Sequence, residues 1–292
     1  MHFEEFFDSL EGAFAPNTIR AYRSDLQHYA DWCKNNQYAL FSGQADLFAE
    51  YVTDMGKRFK TGTIRRRVAS LNSVFKLMKK TDPTGQPEVV LALKRLHRKL
   101  GRHQKQATPL TKDILNKLVA VCGDDLKGLR NKLLLQLGYE TMRRRSEIVG
   151  FTFEDIQQLP NGRVALHLRH SKTDQFGEGK LIPISSELYE LITQWQRFAN
   201  LHEGKILRGL FRKGQKIRES LSGTSVSKIL KELQQQAGLK VNNLSGHSFR
   251  VGAAIDLLEK GYSLEKIMLI GGWKSETTAL RYLRNWQDWK DI

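Results

Sequence analysis

Residues 245–254 read SGHSFRVGAA and continue as Ile255, Asp256, Leu257 and Leu258. Ser245 and Gly246 stand where a helix start is expected, and the residues after them keep a helical period. At about 100° per residue, Val251, Ala254 and Leu258 form one apolar stripe. His247 and Arg250 fall in or beside that stripe, three residues apart, so they point together. Burying a cation without a partner is very unfavourable, so something negative has to meet them. Two partners fit: a carboxylate of the same chain, or a phosphate brought from outside. The stretch predicts a helical domain with a charged seam, and the rest of the chain must say what the seam receives.

The chain has 292 residues, room for two ordinary domains, and its 40% of hydrophobic residues suffices for a core. With 47 Lys and Arg against 31 Asp and Glu, the net charge is +16 and the pI is near 9.8. A protein this basic is expected to meet a polyanion, nucleic acid first and an acidic membrane surface second. A basic surface with no such partner is the remaining reading. Residues up to Lys105 carry a net +7 and the remainder +9, so the charge runs along the whole chain. Cys33 and Cys122 have no paired spacing. That argues against a disulfide framework or a cysteine zinc site and for a reducing compartment. No apolar run approaches a membrane span, and the acidic start MHFEEFFDSL lacks a signal-peptide pattern. These features predict a soluble intracellular protein without a membrane partner.

Upstream, the pattern predicts a first, all-helical domain over residues 1–100. Behind Pro16-Asn17, the residues Ile19, Tyr22, Leu26, Tyr29 and Cys33 recur at helical spacing. A second helix is expected from Gln44 to Met55. A third follows Thr61-Gly62-Thr63, with Ile64, Val68, Leu71, Phe75 and Met78 as its stripe. A fourth is expected from Pro87 to Leu100. Arg65, Arg66, Arg67 and Lys76 lie largely off the third helix's stripe. They suit a helix offered to DNA, or simply a solvated basic face. Residues 101–109, GRHQKQATP, read as a linker. A second domain is expected over residues 110–292: helices to about Val149, strands at Arg163–Leu168 and Lys180–Ile184, then helices to the end. It is mostly helical with one small antiparallel sheet.

Four further features join His247 and Arg250. In TMRRRSEIVGF, at 141–151, Arg144 shares a helical phase with Ile148, so Arg144 is expected to point inward and Arg143 and Arg145 elsewhere. Glu147, three residues on, can orient a neighbour or form a structural ion pair with Arg144. Lys172 sits at the tip of the hairpin, in HSKT, where a lysine can deliver a proton to an oxygen. Trp273 follows Gly271-Gly272; an indole can pack and also donate a hydrogen bond. Tyr282 stands between Arg281 and Arg284 in ALRYLRNW. A phenol in water is a poor nucleophile at neutral pH, and guanidinium groups beside a bound phosphate make it a better one. Taken singly, each of these has a plain structural alternative.

In order and approximate spacing, Arg144, Lys172, the His247-x-x-Arg250 pair, Trp273 and Tyr282 match the signature of the tyrosine recombinases. The chain resembles that family over nearly its whole length, most strongly from about residue 130, and it looks closest to the Cre-type phage members in SGHSFRVGAA, GGW and YLRN. The resemblance implies a mainly α fold. It would pair a SAM-like helical bundle that binds DNA with a mixed α/β catalytic domain, and the two would form a C-shaped clamp. It implies that Arg144, Arg250 and His247 gather on one DNA phosphate, with Trp273 adding a donor and packing. Tyr282 would attack the phosphorus to give a 3′-phosphotyrosine, Lys172 would protonate the leaving 5′-hydroxyl, and Glu147 would orient the cluster. It further implies double-stranded DNA with specific sites as partner, a homotetramer on two sites, a Holliday junction, and a DNA-associated cytoplasmic location. No cofactor, metal or ATP is expected: the chain has no P-loop glycine pattern and no convincing magnesium-binding carboxylate cluster. Only ten residues follow Tyr282, and Trp286, Trp289 and Ile292 can dock onto a neighbouring protomer or fold back. Two rivals stand beside this reading: a type IB topoisomerase or telomere resolvase, and a DNA-binding accessory protein with an inactive site.

Overall fold

The computed structural model describes residues 3–101, 106–169, 179–211 and 217–287, the last four of these without their side chains. The chain forms two units, Met1–Lys105 and Gln106–Ile292.

The first unit is all helical among the described residues: α1 (Phe3–Asp8), α2 (Pro16–Asn35), α3 (Ala45–Met55), α4 (Thr61–Leu77) and α5 (Pro87–Leu100). Pro16 and Pro87 open α2 and α5, where a proline's missing N–H has no intrahelical partner to lose. The apolar stripes converge on an aromatic core. The Tyr29 ring lies 4.9 Å from Tyr51, 5.2 Å from Phe48 and 5.9 Å from Phe75. The same helix α2 also carries a fully buried carboxylate, Asp25. The short α1 was not expected from the sequence. Its Phe6 and Phe7 turn onto the same core, a contact too brief to show a helical period.

The second unit is built on α7 (Leu126–Thr141), which follows α6 (Lys112–Ala120). Leu133, Leu134, Leu135 and Leu137 of α7 are all fully buried, as expected of a helix packed on every side. After α8 (Arg145–Ile148) and a 3₁₀ turn at Phe153–Asp155 come β1 (Ile156–Gln158), β2 (Val164–Leu168) and β3 (Lys180–Ile184). They form one antiparallel sheet in the order β1-β2-β3, with Ala165 opposite both Gln157 and Pro183. The sequence indicated two strands; β1 is three half-exposed residues without an alternating pattern. Then follow α9 (Ser186–Phe198), α10 (Gly223–Gln236), α11 (Ser248–Glu259), α12 (Leu264–Gly271) and α13 (Glu276–Gln287). A smaller apolar cluster joins α11, α12 and α13 through Val251, Ile255, Ile267, Trp273, Ala279 and Leu283.

Residues 106–109, expected as linker, belong to this second unit. Ala107 packs on the small cluster, and the Gln106 amide donates to the Arg281 carbonyl. Gly252 shows why α11 can cross here: a Cβ at that position would lie 1.9 Å from the Leu110 carbonyl oxygen. Lys172 lies outside the described residues, as do the side chains of Trp286, Trp289 and Ile292. No helix among the described residues is long and apolar enough to cross a membrane.

Candidate active site

The arginine run sits where α7 ends. Met142 takes a left-handed conformation, φ 53°, and breaks the helical phase. Two arginines therefore turn inward where one was expected. Arg143 is buried: its Nε donates to the Thr141 carbonyl at 2.6 Å, and an Nη2 donates to the Ile270 carbonyl. Arg144 caps α8 and is half-buried, while Arg145 is exposed. Glu147 grips both ends of Arg144. One carboxylate oxygen accepts the Arg144 backbone N–H at 3.0 Å, and the other accepts Nη1 at 2.9 Å. Buried Glu147 thus fixes the guanidinium through a local loop of hydrogen bonds.

The stretch 245–254 enters α11 with His247 at its N-terminal edge. Arg250, the third residue of α11, is 1% exposed. Its Cζ lies 4.6 Å from the centre of the Trp273 ring, a cation–π contact. Its Nε and Nη1 are buried without a hydrogen-bond partner. Burial, then the charges of Arg144 and Arg143, push the Arg250 pKa down to about 10. It remains a cation at pH 7 with two N–H groups unsatisfied.

The His247 ring pairs with Tyr282. Its Nε2 lies 2.6 Å from the Tyr282 hydroxyl oxygen, with the ring centres 5.2 Å apart. Burial and the charges of Arg250 and Arg144 hold the imidazole pKa below its usual 6.5. At pH 7 the ring is mainly neutral, and a neutral ring nitrogen can accept a phenol proton. Trp273 is buried, with its ring 6.1 Å from that of Tyr282. Arg144, Glu147, His247, Arg250, Trp273 and Tyr282 therefore meet in one place. Among the described residues, no group of three or more His, Cys, Asp or Glu could hold a metal ion.

The basic group on α4 divides. Arg65 and Lys76 are exposed. Arg66, also exposed, pairs with buried Asp25 through both guanidinium nitrogens, one of them at 2.9 Å. Arg67, expected on the DNA-facing side, instead turns inward with a side chain only 12% exposed. It lies 4.2 Å over the Phe59 ring, with its Nε 3.7 Å from Asp25. A helix has no face for three consecutive residues, and the third falls toward α2.

Residues 108–288 match the model described as the phage integrase family, and residues 3–81 match that of the phage integrase N-terminal SAM-like domain. The chain belongs to the phage integrase family. It is a tyrosine recombinase, an enzyme that transfers DNA strands at specific sites. An integrase/recombinase xerD homolog of Selenomonas ruminantium is 30% identical, over 97% of this chain and 85% of that one. The recombinase Cre of Escherichia phage P1 is 24% identical, over 94% of this chain and 85% of its own. A lambda integrase tetramer bound to a Holliday junction shares the fold, with a TM-score of 0.66 at 17% identity over 96% of this chain and 75% of that one. In this recombinase two polar groups were missed by sequence reasoning. Arg143 was set aside because helical phase was carried across Met142. Asp25 carried a usable signal: a lone acid between Tyr22, Leu26 and Tyr29.

Proposed function

We propose that this recombinase cleaves one DNA strand at a time through a 3′-phosphotyrosine at Tyr282 and rejoins it to another strand through a Holliday junction. The observation that carries this reading is Arg250: a buried cation with two unpartnered N–H groups, beside a tyrosine hydroxyl that already touches a neutral imidazole. A phosphate satisfies both N–H groups, and its nonbridging oxygens also reach for Arg144. Fixed donors where negative charge develops are the strongest common source of rate enhancement.

In this mechanism the Tyr282 oxygen attacks phosphorus and its proton passes to His247 Nε2. The bond from phosphorus to the 5′-oxygen breaks, and Lys172 supplies the proton that the leaving oxygen takes up. A 5′-hydroxyl from another strand then reverses each step. One phosphodiester is exchanged for another, so the reaction needs no ATP, and the arginines neutralise the phosphate charge that a metal ion would otherwise meet. Glu147 holds Arg144 in place, and Trp273 supports the Arg250 plane. Arg65 and Lys76 contact the DNA backbone from the first unit. Four protomers hold two DNA sites, as the lambda integrase tetramer on its junction suggests. We place the protein with the DNA in the cytoplasm.

The test is a covalent adduct. Wild-type protein and Tyr282→Phe are incubated in EDTA with DNA flanking the gene, including nicked duplexes that trap the intermediate. The expected result is an SDS-resistant protein–DNA species in the wild type alone, with both proteins binding the DNA. Binding without an adduct in the wild type overturns the reading in favour of an inactive DNA-binding protein.

A further inference from the structure

The C-terminal end of α12 is gripped by two cations that the mechanism above does not use. Lys180, at the start of β3, donates from Nζ to the Leu269 carbonyl at 2.6 Å. Arg143 donates to the next carbonyl, that of Ile270. These are two of the last four carbonyls of α12, where the helix carries its partial negative charge; the Gly272 N–H also reaches the Leu269 carbonyl at 3.4 Å, and the Trp273 N–H reaches that of Met268 at 3.0 Å. Both ties are charge-assisted hydrogen bonds, about twice as strong as neutral ones.

The apolar contacts of α12 lie on one side, where Leu264, Met268 and Ile270 pack partly buried on the small cluster, and the two cations hold its end. Of the eight residues of α12, only Ile267 and Gly271 are buried, and Leu269 is 67% exposed. The helix then reverses through Gly272, at φ 68°, and a Cβ there would lie 2.6 Å from Arg143 Nη1. The Arg143 guanidinium thus also lies directly against the turn. Immediately beyond come Trp273, stacked on Arg250, and α13 with Tyr282. On the other side, Arg143 directly precedes Arg144 in the chain. Burial and the charge of Arg143 lower the Lys180 pKa, as expected of two cations meeting at one helix end. The end of α12 is therefore where the segments bearing the phosphate-binding arginine and the nucleophile are tied together.

We propose that Lys180 and Arg143 are positioning residues for strand cleavage, clamping the last carbonyls of α12 so that Tyr282 lies in line with the phosphate held by Arg144 and Arg250. This rests on the phosphotyrosine reading. Neither residue touches the reacting atoms; both act through the α12–α13 turn. A displacement of about 1 Å at a nucleophile can lower a rate about a hundredfold.

Single-turnover adduct formation on a nicked duplex carrying the cleaved site, at saturating protein, tests the clamp. Lys180 is exposed, so Lys180→Met is expected to fold with its melting temperature changed by no more than about 2 °C. Its DNA affinity should stay within about twofold of the wild type, and its adduct rate should fall about 10- to 100-fold. Lys180→Arg, which keeps a cationic N–H donor on a side chain of similar length, should recover most of the rate. Arg143→Lys should cleave faster than Arg143→Met for the same reason. A role confined to stability would lower the melting temperature of Lys180→Met and leave its adduct rate at saturation unchanged. A wild-type rate in Lys180→Met overturns the clamp. So does a defect that arginine fails to restore, or one matched by an equal loss of DNA affinity. Absence of any adduct in the wild type overturns the phosphotyrosine reading itself, and the clamp with it.

Discussion

At the residue scale, Arg250 sets function against stability. The free protein holds this cation buried, with unsatisfied N–H groups and with Arg144 and Arg143 as like charges nearby. Replacing such a group by an apolar side chain of similar length is often neutral or stabilising. Arg250→Met should therefore keep or raise the melting temperature of the DNA-free protein, by up to about 4 °C for a gain near 1 kcal/mol. The same change should slow adduct formation about a hundredfold or more. A clear drop in melting temperature would show that the guanidinium has a structural partner. His247 makes a second prediction. Its folded pKa lies below the unfolded 6.5, so the unfolded chain binds the proton first as pH falls. Its share of stability is complete above pH 6.5 and is lost as pH drops through the folded value. Thermal unfolding without DNA should show the melting temperature falling below about pH 6.5, less steeply in His247→Gln; identical pH profiles would contradict this. The constellation itself was legible because His247, Arg250, Trp273 and Tyr282 sit in short motifs whose order is unusual. The orientation of Arg143 was not legible, because a periodic argument fails at a left-handed residue, and nothing in the letters marks Met142 as one.

At the scale of elements, α2 and α4 are joined by a charge pair that also decides which arginines remain available. Asp25 is fully buried and receives Arg66, with Arg67 folded over Phe59 beside it. Asp25→Ala removes the acceptor and leaves Arg67 among aromatic rings. The expected loss is about 3 kcal/mol, read as a shift of the denaturation midpoint. The exposed pair predicts a different behaviour. Arg65→Ala and Lys76→Ala should each reduce the slope of log affinity against log salt by about 1, without loss of stability. Arg67→Ala should destabilise the first unit and leave the salt slope unchanged. Reversal of those two patterns would return Arg67 to the DNA-facing group. Helices α2 to α5 were readable from long stripes and from prolines at their starts. Elements α1 and β1 were not, since six and three residues are too few for a period to declare itself.

At the scale of the whole molecule, both units are basic, and the chain's business is DNA strand transfer. The mainly helical fold and the small antiparallel sheet were legible in the sequence. The position of Lys172 lies outside the described residues, so its part as general acid rests on the hairpin motif and on the resemblance. The central claim is that a phosphate entering between Arg144 and Arg250 is attacked by Tyr282 on the side that leaves a 3′ linkage. The most direct measurement is to digest the trapped adduct with protease and nuclease and to identify the modified peptide by mass spectrometry. The account predicts a nucleotide joined through its 3′-phosphate to Tyr282, within the segment that contains ALRYLRNW. A nucleotide on any other side chain, or a 5′ linkage at Tyr282, would contradict it.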